Sequence, residues 1–119
     1  TVPSGGDTTL ANFHAAVSTS ASSLDVENVK YIRVTNLDGS NPVNLSLQID
    51  AGEDDSAADA STTILLEAGK SFLMGSPSDG IATDDDAATI VTTLNNLESI
   101  IADSLSADVQ VEVFIASVV

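Results

Sequence analysis

The chain has no cysteine and no tryptophan, a single histidine, and only three cationic side chains, Lys30, Arg33 and Lys70. Without cysteine there are no disulfides, no thiolate metal site and no cysteine nucleophile. One histidine leaves little for a triad, a zinc site or a proton shuttle. Three cations against 18 acidic residues give a formal charge of −15. Such a chain cannot line a groove that tracks phosphates, and its summed field repels nucleic acid. No apolar run approaches the roughly 20 residues that a membrane-spanning helix needs. Nor does the segment Thr1 to Gly6 carry the basic and apolar regions of a signal peptide, so synthesis in the cytoplasm is expected.

What is present is enough for a core. Hydrophobic residues make up 43% of the 119 positions, which fits one ordinary domain rather than a disordered acidic tail. The aromatics are Phe13, Tyr31, Phe72 and Phe114, so the core must be built from Leu, Ile, Val and Ala.

Residues 1–23 are small and polar and read as an extended arm or a first edge strand; residues 24–119 read as a single domain. Val29–Thr35 is rich in β-branched and aromatic residues with apolar groups on both faces, as an interior strand requires. Asn36–Pro42 is turn chemistry. Val43, Leu45, Leu47 and Ile49 then alternate strictly with polar residues, the mark of a strand with one wet face. This pair is expected to form a hairpin. Further strands are expected over Thr62–Glu67, Ser71–Met74 and Asp108–Val119, the last with Val109, Val111, Val113 and Ile115 on one face.

Residues 84–105 carry conflicting signals. Ile90, Leu94, Leu97, Ile101 and Leu105 follow a helical period, and Asp84–Asp86 would suit a helix N-terminus. The intervening Thr, Val and Asn residues are mediocre helix formers. A strand from about Leu97 to Leu105 is expected, preceded by a loop or one short helix within 85–96.

Few motifs carry chemistry. Gly69-Lys70-Ser71 imitates the end of a phosphate-binding loop, but the first glycine of that pattern is replaced by Ile64. A turn between strands is the better reading. Asn44-Leu45-Ser46 is a glycosylation sequon inside an expected strand, where it reads as accidental. The acidic loops raise calcium, a cation that takes six to eight oxygen ligands. The candidate ligands are Asp54, Asp55, Asp84, Asp85 and Asp86, although neither loop has EF-hand spacing. No catalytic residue and no obligatory cofactor is nominated, and the chain is expected not to be an enzyme.

Three segments taken in order, Val29–Asp38, Leu66–Leu73 and Val109–Ala116, resemble a pattern found in small virion structural proteins of tailed bacteriophages, especially marine ones. The resemblance covers roughly residues 29–117, and its motifs are mostly strand and turn chemistry. Residues 75–96 are longer than the family pattern and read as an insertion. The resemblance implies an all-β fold, a compact antiparallel β-sandwich of jelly-roll type, with the N-terminal stretch as a flexible arm. It also implies a non-enzymatic role as a capsid decoration or cement protein at subunit junctions of a phage head, with a neck or tail component as the nearest variant. The expected partners are the major capsid protein or other virion proteins, and further copies of the chain, with a trimer favoured. The expected location is the virion, with no membrane and no direct nucleic-acid contact. A calcium-dependent binding or adhesion module is the alternative from another class.

Overall fold

A computed structural model describes residues 1–14, 24–50, 60–83, 90–105 and 107–118. The protein is an all-β sandwich. Its strands are β1 (Asp7–His14), β2 (Leu24–Asp25), β3 (Val29–Asn36), β4 (Val43–Asp50), β5 (Ala60–Leu66), β6 (Ser71–Met74), β7 (Asn96–Asp103) and β8 (Val111–Ser117). A single 3-10 turn, Val26–Asn28, links β2 to β3 and is capped by the Asp25 carboxylate, which accepts from Glu27 N–H. One sheet has five strands in the order β2-β1-β7-β4-β5, the other three in the order β6-β3-β8. All pairings are antiparallel except the short β1–β2 contact.

Alternation decides which side chains meet between the sheets. Val43, Leu45, Leu47 and Ile49 of β4 are buried, as are Leu97, Ile100 and Ala102 of β7, and Ile32 and Val34 of β3. Val111, Val113 and Ile115 of β8 pack against this core from the rim. The expectation of an aliphatic core is met: Phe13 is the one fully enclosed aromatic among the described residues. Bulges keep the pattern in phase. The β1–β7 register shifts between Thr9 and Ala11, which lets Ala11 and Phe13 face the core together with Leu10, a residue of the opposite parity.

Over residues 7–14 the N-terminal stretch is a strand but not the edge strand expected, since β1 lies between β2 and β7; residues 15–23 lie outside the described residues. Ahead of it, Val2 is buried and forms an isolated bridge with Val109. Ser104 Oγ–H is within hydrogen-bonding distance of the carbonyls of Val2 (3.1 Å) and Pro3 (2.9 Å), pinning the segment.

The expected hairpin of β3 and β4 is not formed. The two strands lie in different sheets, β3 between β6 and β8, and β4 between β5 and β7. The intervening turn therefore carries the chain across the sandwich. Turn residues allow a reversal without selecting the partner; selection comes from Asn36, the last residue of β3. It is fully buried, and its Nδ2 donates to the carbonyls of Asn41 (2.9 Å) and Leu66 (3.1 Å) while its Oδ1 accepts from Asp38 N–H (2.9 Å). Its backbone N–H donates to Lys70 O and its carbonyl accepts from Gly69 N–H, each at 3.0 Å. Gly69 takes φ +77°, a conformation natural to glycine, so the β5–β6 turn also crosses between the sheets at this point.

The segment 90–94 before β7 has no regular structure, and β7 begins one residue before the expected start. The helical spacing of Ile90 and Leu94 is incidental: both are exposed. The loop after β6 is tied to the start of β7. Pro77 O accepts from Leu97 N–H (2.9 Å), and Gly80 N–H donates to Asn95 O (3.0 Å). A Cβ at Gly80 would lie 1.6 Å from Ser76 O, so this position admits glycine alone without rearrangement.

Asn36→Ala should cost about 2–4 kcal/mol of stability, since it orphans two carbonyls and one N–H at a buried junction. Urea unfolding followed by circular dichroism measures this directly. In the same loop, Asp38 accepts from the N–H groups of Ser40 (2.9 Å) and Asn41 (2.6 Å). These bonds, the one to Ser40 first, hold its carboxyl below the ordinary 3.8. A carboxyl depressed on folding stabilises the fold above its unfolded pKa and loses that contribution as pH falls through the lowered folded value. The stability gap between wild type and Asp38→Ala should therefore be full at pH 6 and close on acidification below 3.8. Parallel melts at several pH values check it.

Candidate functional site

The two outer faces of the sandwich differ in chemistry. On the five-stranded sheet the register aligns Asp7 with Asp103 and Asp103 with Asn44, then Thr9, Ile101, Ser46 and Thr63 in the next row. All of these except Thr9, together with Gln48, line a shallow polar concavity of about 290 Å³. Gln48 Nε2–H donates to Ser46 Oγ, so part of this face is satisfied internally. The strands of this sheet contain Asp7, Asp25, Asp50, Glu98 and Asp103 and no cation.

The three-stranded sheet is the opposite case. All three cations of the chain belong to it or to the turn that enters it: Lys30 and Arg33 in β3, and Lys70 immediately before β6. Its strands contain one acid, Glu112. The register places Leu73, Arg33 and Phe114 in one row across its outer face. Leu73 is 57% exposed and Phe114 48%, so two large apolar residues on the edge strands flank Arg33 of the central strand in the open. The other exposed apolar residues, including Leu37, Leu65 and Leu105, are scattered.

Arg33 organises this row. Its guanidinium carbon lies 5.3 Å from the Phe114 ring centroid, within the range of a cation–π contact. Its Nη2 is 3.5 Å from Glu112 Oε1, an ion pair that is well exposed on both sides and so contributes little to stability. The Nε–H is buried without an acceptor. Tyr31 meets Phe114 edge to face with centroids 6.1 Å apart. Tyrosine, arginine and phenylalanine on an exposed, preorganised surface are the residue types that anchor protein interfaces. This surface can bind by burial and cation–π contact.

The five calcium candidates, Asp54, Asp55, Asp84, Asp85 and Asp86, lie outside the described residues. Among the described residues no three His, Cys, Asp or Glu side chains group as a metal site. Gly69-Lys70-Ser71 sits in the turn entering β6, a strand, where a phosphate-binding loop would enter a helix. The outer row of β3, β6 and β8 was not singled out by sequence reasoning. The signal available was the clustering of two of the three cations, Lys30 and Arg33, around Tyr31, but Phe114 and Leu73 join them only through pairing.

No helix among the described residues is long and apolar enough to cross a membrane. No family model, curated protein or solved structure matches the chain.

Asp7 and Asp103 stand directly opposite each other, and like charges in such a pair destabilise a sheet. Asp103→Asn should raise the melting temperature, with a gain that shrinks as salt is added; differential scanning fluorimetry at two ionic strengths checks both.

Proposed function

We propose that the chain is a non-enzymatic structural protein of a tailed-phage virion, a capsid decoration or cement protein that docks on the major capsid protein at subunit junctions. The observation that supports this reading is the charge division of the sandwich. Every cation lies in the three-stranded sheet or the turn that enters it, alongside the exposed Leu73–Arg33–Phe114 row, while the strands of the opposite sheet hold acids and no cation. A protein of charge −15 is repelled from most acidic surfaces, so its least acidic and most apolar face is where contact costs least. The acidic five-stranded sheet is then left facing solvent. A neck or tail position would use the same face in the same way.

The test is co-sedimentation of purified chain with heads, and separately with tails, of the phage that encodes it. Saturable binding to heads is expected, persisting in excess chelator. Leu73→Asp should weaken it at least tenfold, about 1.4 kcal/mol, because it places a carboxylate in the apolar row. Binding to tails alone would move the protein to the neck or tail. Binding lost in chelator would favour the calcium-dependent adhesion module, and no binding to any part of the particle would overturn the proposal.

A further inference from the structure

The edge of the three-stranded sheet carries a second kind of information. Leu37 N–H donates to Gln110 O (2.8 Å), extending the β3–β8 ladder by one hydrogen-bonded pair. In an antiparallel ladder such pairs alternate, so Glu112 and Phe114 direct their backbone groups toward β3. Val111, Val113 and Ile115 direct theirs away from it. One step earlier, Val109 uses that same outward side: its N–H and C=O bond to Val2 O (2.9 Å) and Val2 N–H (2.7 Å). The edge therefore already accepts a strand at Val109. Beyond it, among the described residues, β8 has β3 as its one partner strand.

Exposed edges are normally blunted by short length, proline, bulges or charge. The edge strand β6 has four residues and β2 has two. The edge strand β5 is bracketed in the sequence by Asp59 and Glu67, which an antiparallel copy centred on Thr63 would bring face to face. β8 has the least of these devices, a register shift in its ladder with β3 being confined to its Ala116–Ser117 end. It is seven residues long, lacks proline, glycine and lysine, and holds a single charge at Glu112.

We infer that β8 is a homodimerisation edge, pairing antiparallel with β8 of a second copy about a two-fold axis at Phe114. Three observations select this occupant and register. The strand Val111–Ser117 is centred on Phe114, so this register alone pairs its full length. It sets Phe114 against Phe114 of the second copy as a non-hydrogen-bonded pair, the arrangement with the closer side chains. It also sets Glu112 against Ala116, whereas a register centred on Glu112 would oppose two carboxylates. The charge division adds a fourth argument: two chains of charge −15 approach with least repulsion through the sheet that holds their cations. The product is a six-stranded sheet whose outer row runs Leu73, Arg33, Phe114, then the same residues in reverse. Pairing through the edge leaves this outer face open and doubles its length. The inference concerns the edge alone and stands whether or not the face meets a capsid.

Sedimentation equilibrium of the full chain tests it. A single-edge interface is small, so association is expected at micromolar to hundred-micromolar concentration, reaching twice the chain mass. It should tighten several-fold as salt rises from about 0.05 to 0.5 M, because screening removes the repulsion between like-charged copies. Val113→Pro removes an outward N–H that the β3 ladder does not use, a place where an edge strand admits proline. It should weaken the dimer at least tenfold while circular dichroism keeps the β signal. Phe114→Glu changes a half-exposed side chain, places two carboxylates opposite each other, and should also give monomer. Leu73→Asp, remote from the axis, should leave the dimer intact, which separates failure at the edge from failure of the docking face. A monomer throughout this range at 0.5 M salt, or a dimer unmoved by Phe114→Glu, would overturn the inference.

Discussion

The sandwich depends on one buried amide. Asn36 ends β3 with no exposure to solvent, and its side chain and backbone bond to the 37–42 loop, to the end of β5 and to the β5–β6 turn. Two chain crossings between the sheets are thereby locked at a single residue. A buried amide is tolerated only when its donors and acceptors are satisfied, and here both Nδ2 hydrogens find carbonyls while Oδ1 finds an N–H. The geometry of the two crossings follows: β4 leaves for the five-stranded sheet, β6 returns to the three-stranded one, and their apolar faces close over the same core.

With the sheets so assigned, the distribution of charge acquires a direction. The rare cations gather on one sheet and the turn that enters it, while five of the six acids that lie in strands fall on the other sheet. Arg33 is the hinge of this arrangement, since it is both a member of the cation group and the partner of the Phe114 ring. Its contact with Phe114 holds an aromatic side chain partly exposed in a defined orientation, with Tyr31 bracing it from the side. Preorganised aromatic and arginine side chains lose little entropy on contact, which is the physical argument behind the docking role proposed for this face.

Much of the architecture was legible from residue order. Strict alternation of Val43, Leu45, Leu47 and Ile49 marked β4 and its buried face, and all four are buried. The two-faced apolar character of Val29–Thr35 marked an interior strand, and β3 lies between β6 and β8. Ahead of β7 the loop alternative holds over residues 90–94: Ile90 and Leu94 keep a helical spacing, but neither is buried, so the spacing has no face to serve. The hairpin reading of β3 and β4, by contrast, failed. Asp38-Gly39 and Pro42 encode that the chain turns, and their chemistry is the same whether the next strand pairs with the last or crosses above it.

The sequence by itself determined the class of fold, the positions of its main strands, the aliphatic core and the strong negative charge. These follow from side-chain period and composition, which are local. Only the tertiary structure decided which strands share a sheet, that Leu73, Arg33 and Phe114 form one row, and which edge of β8 keeps its backbone groups free. Residues 33, 73 and 114 are tens of positions apart, and nothing local records that they meet. Their adjacency is a product of pairing register, and register is set by a buried amide, the bulges in the ladders and the closure of a common core.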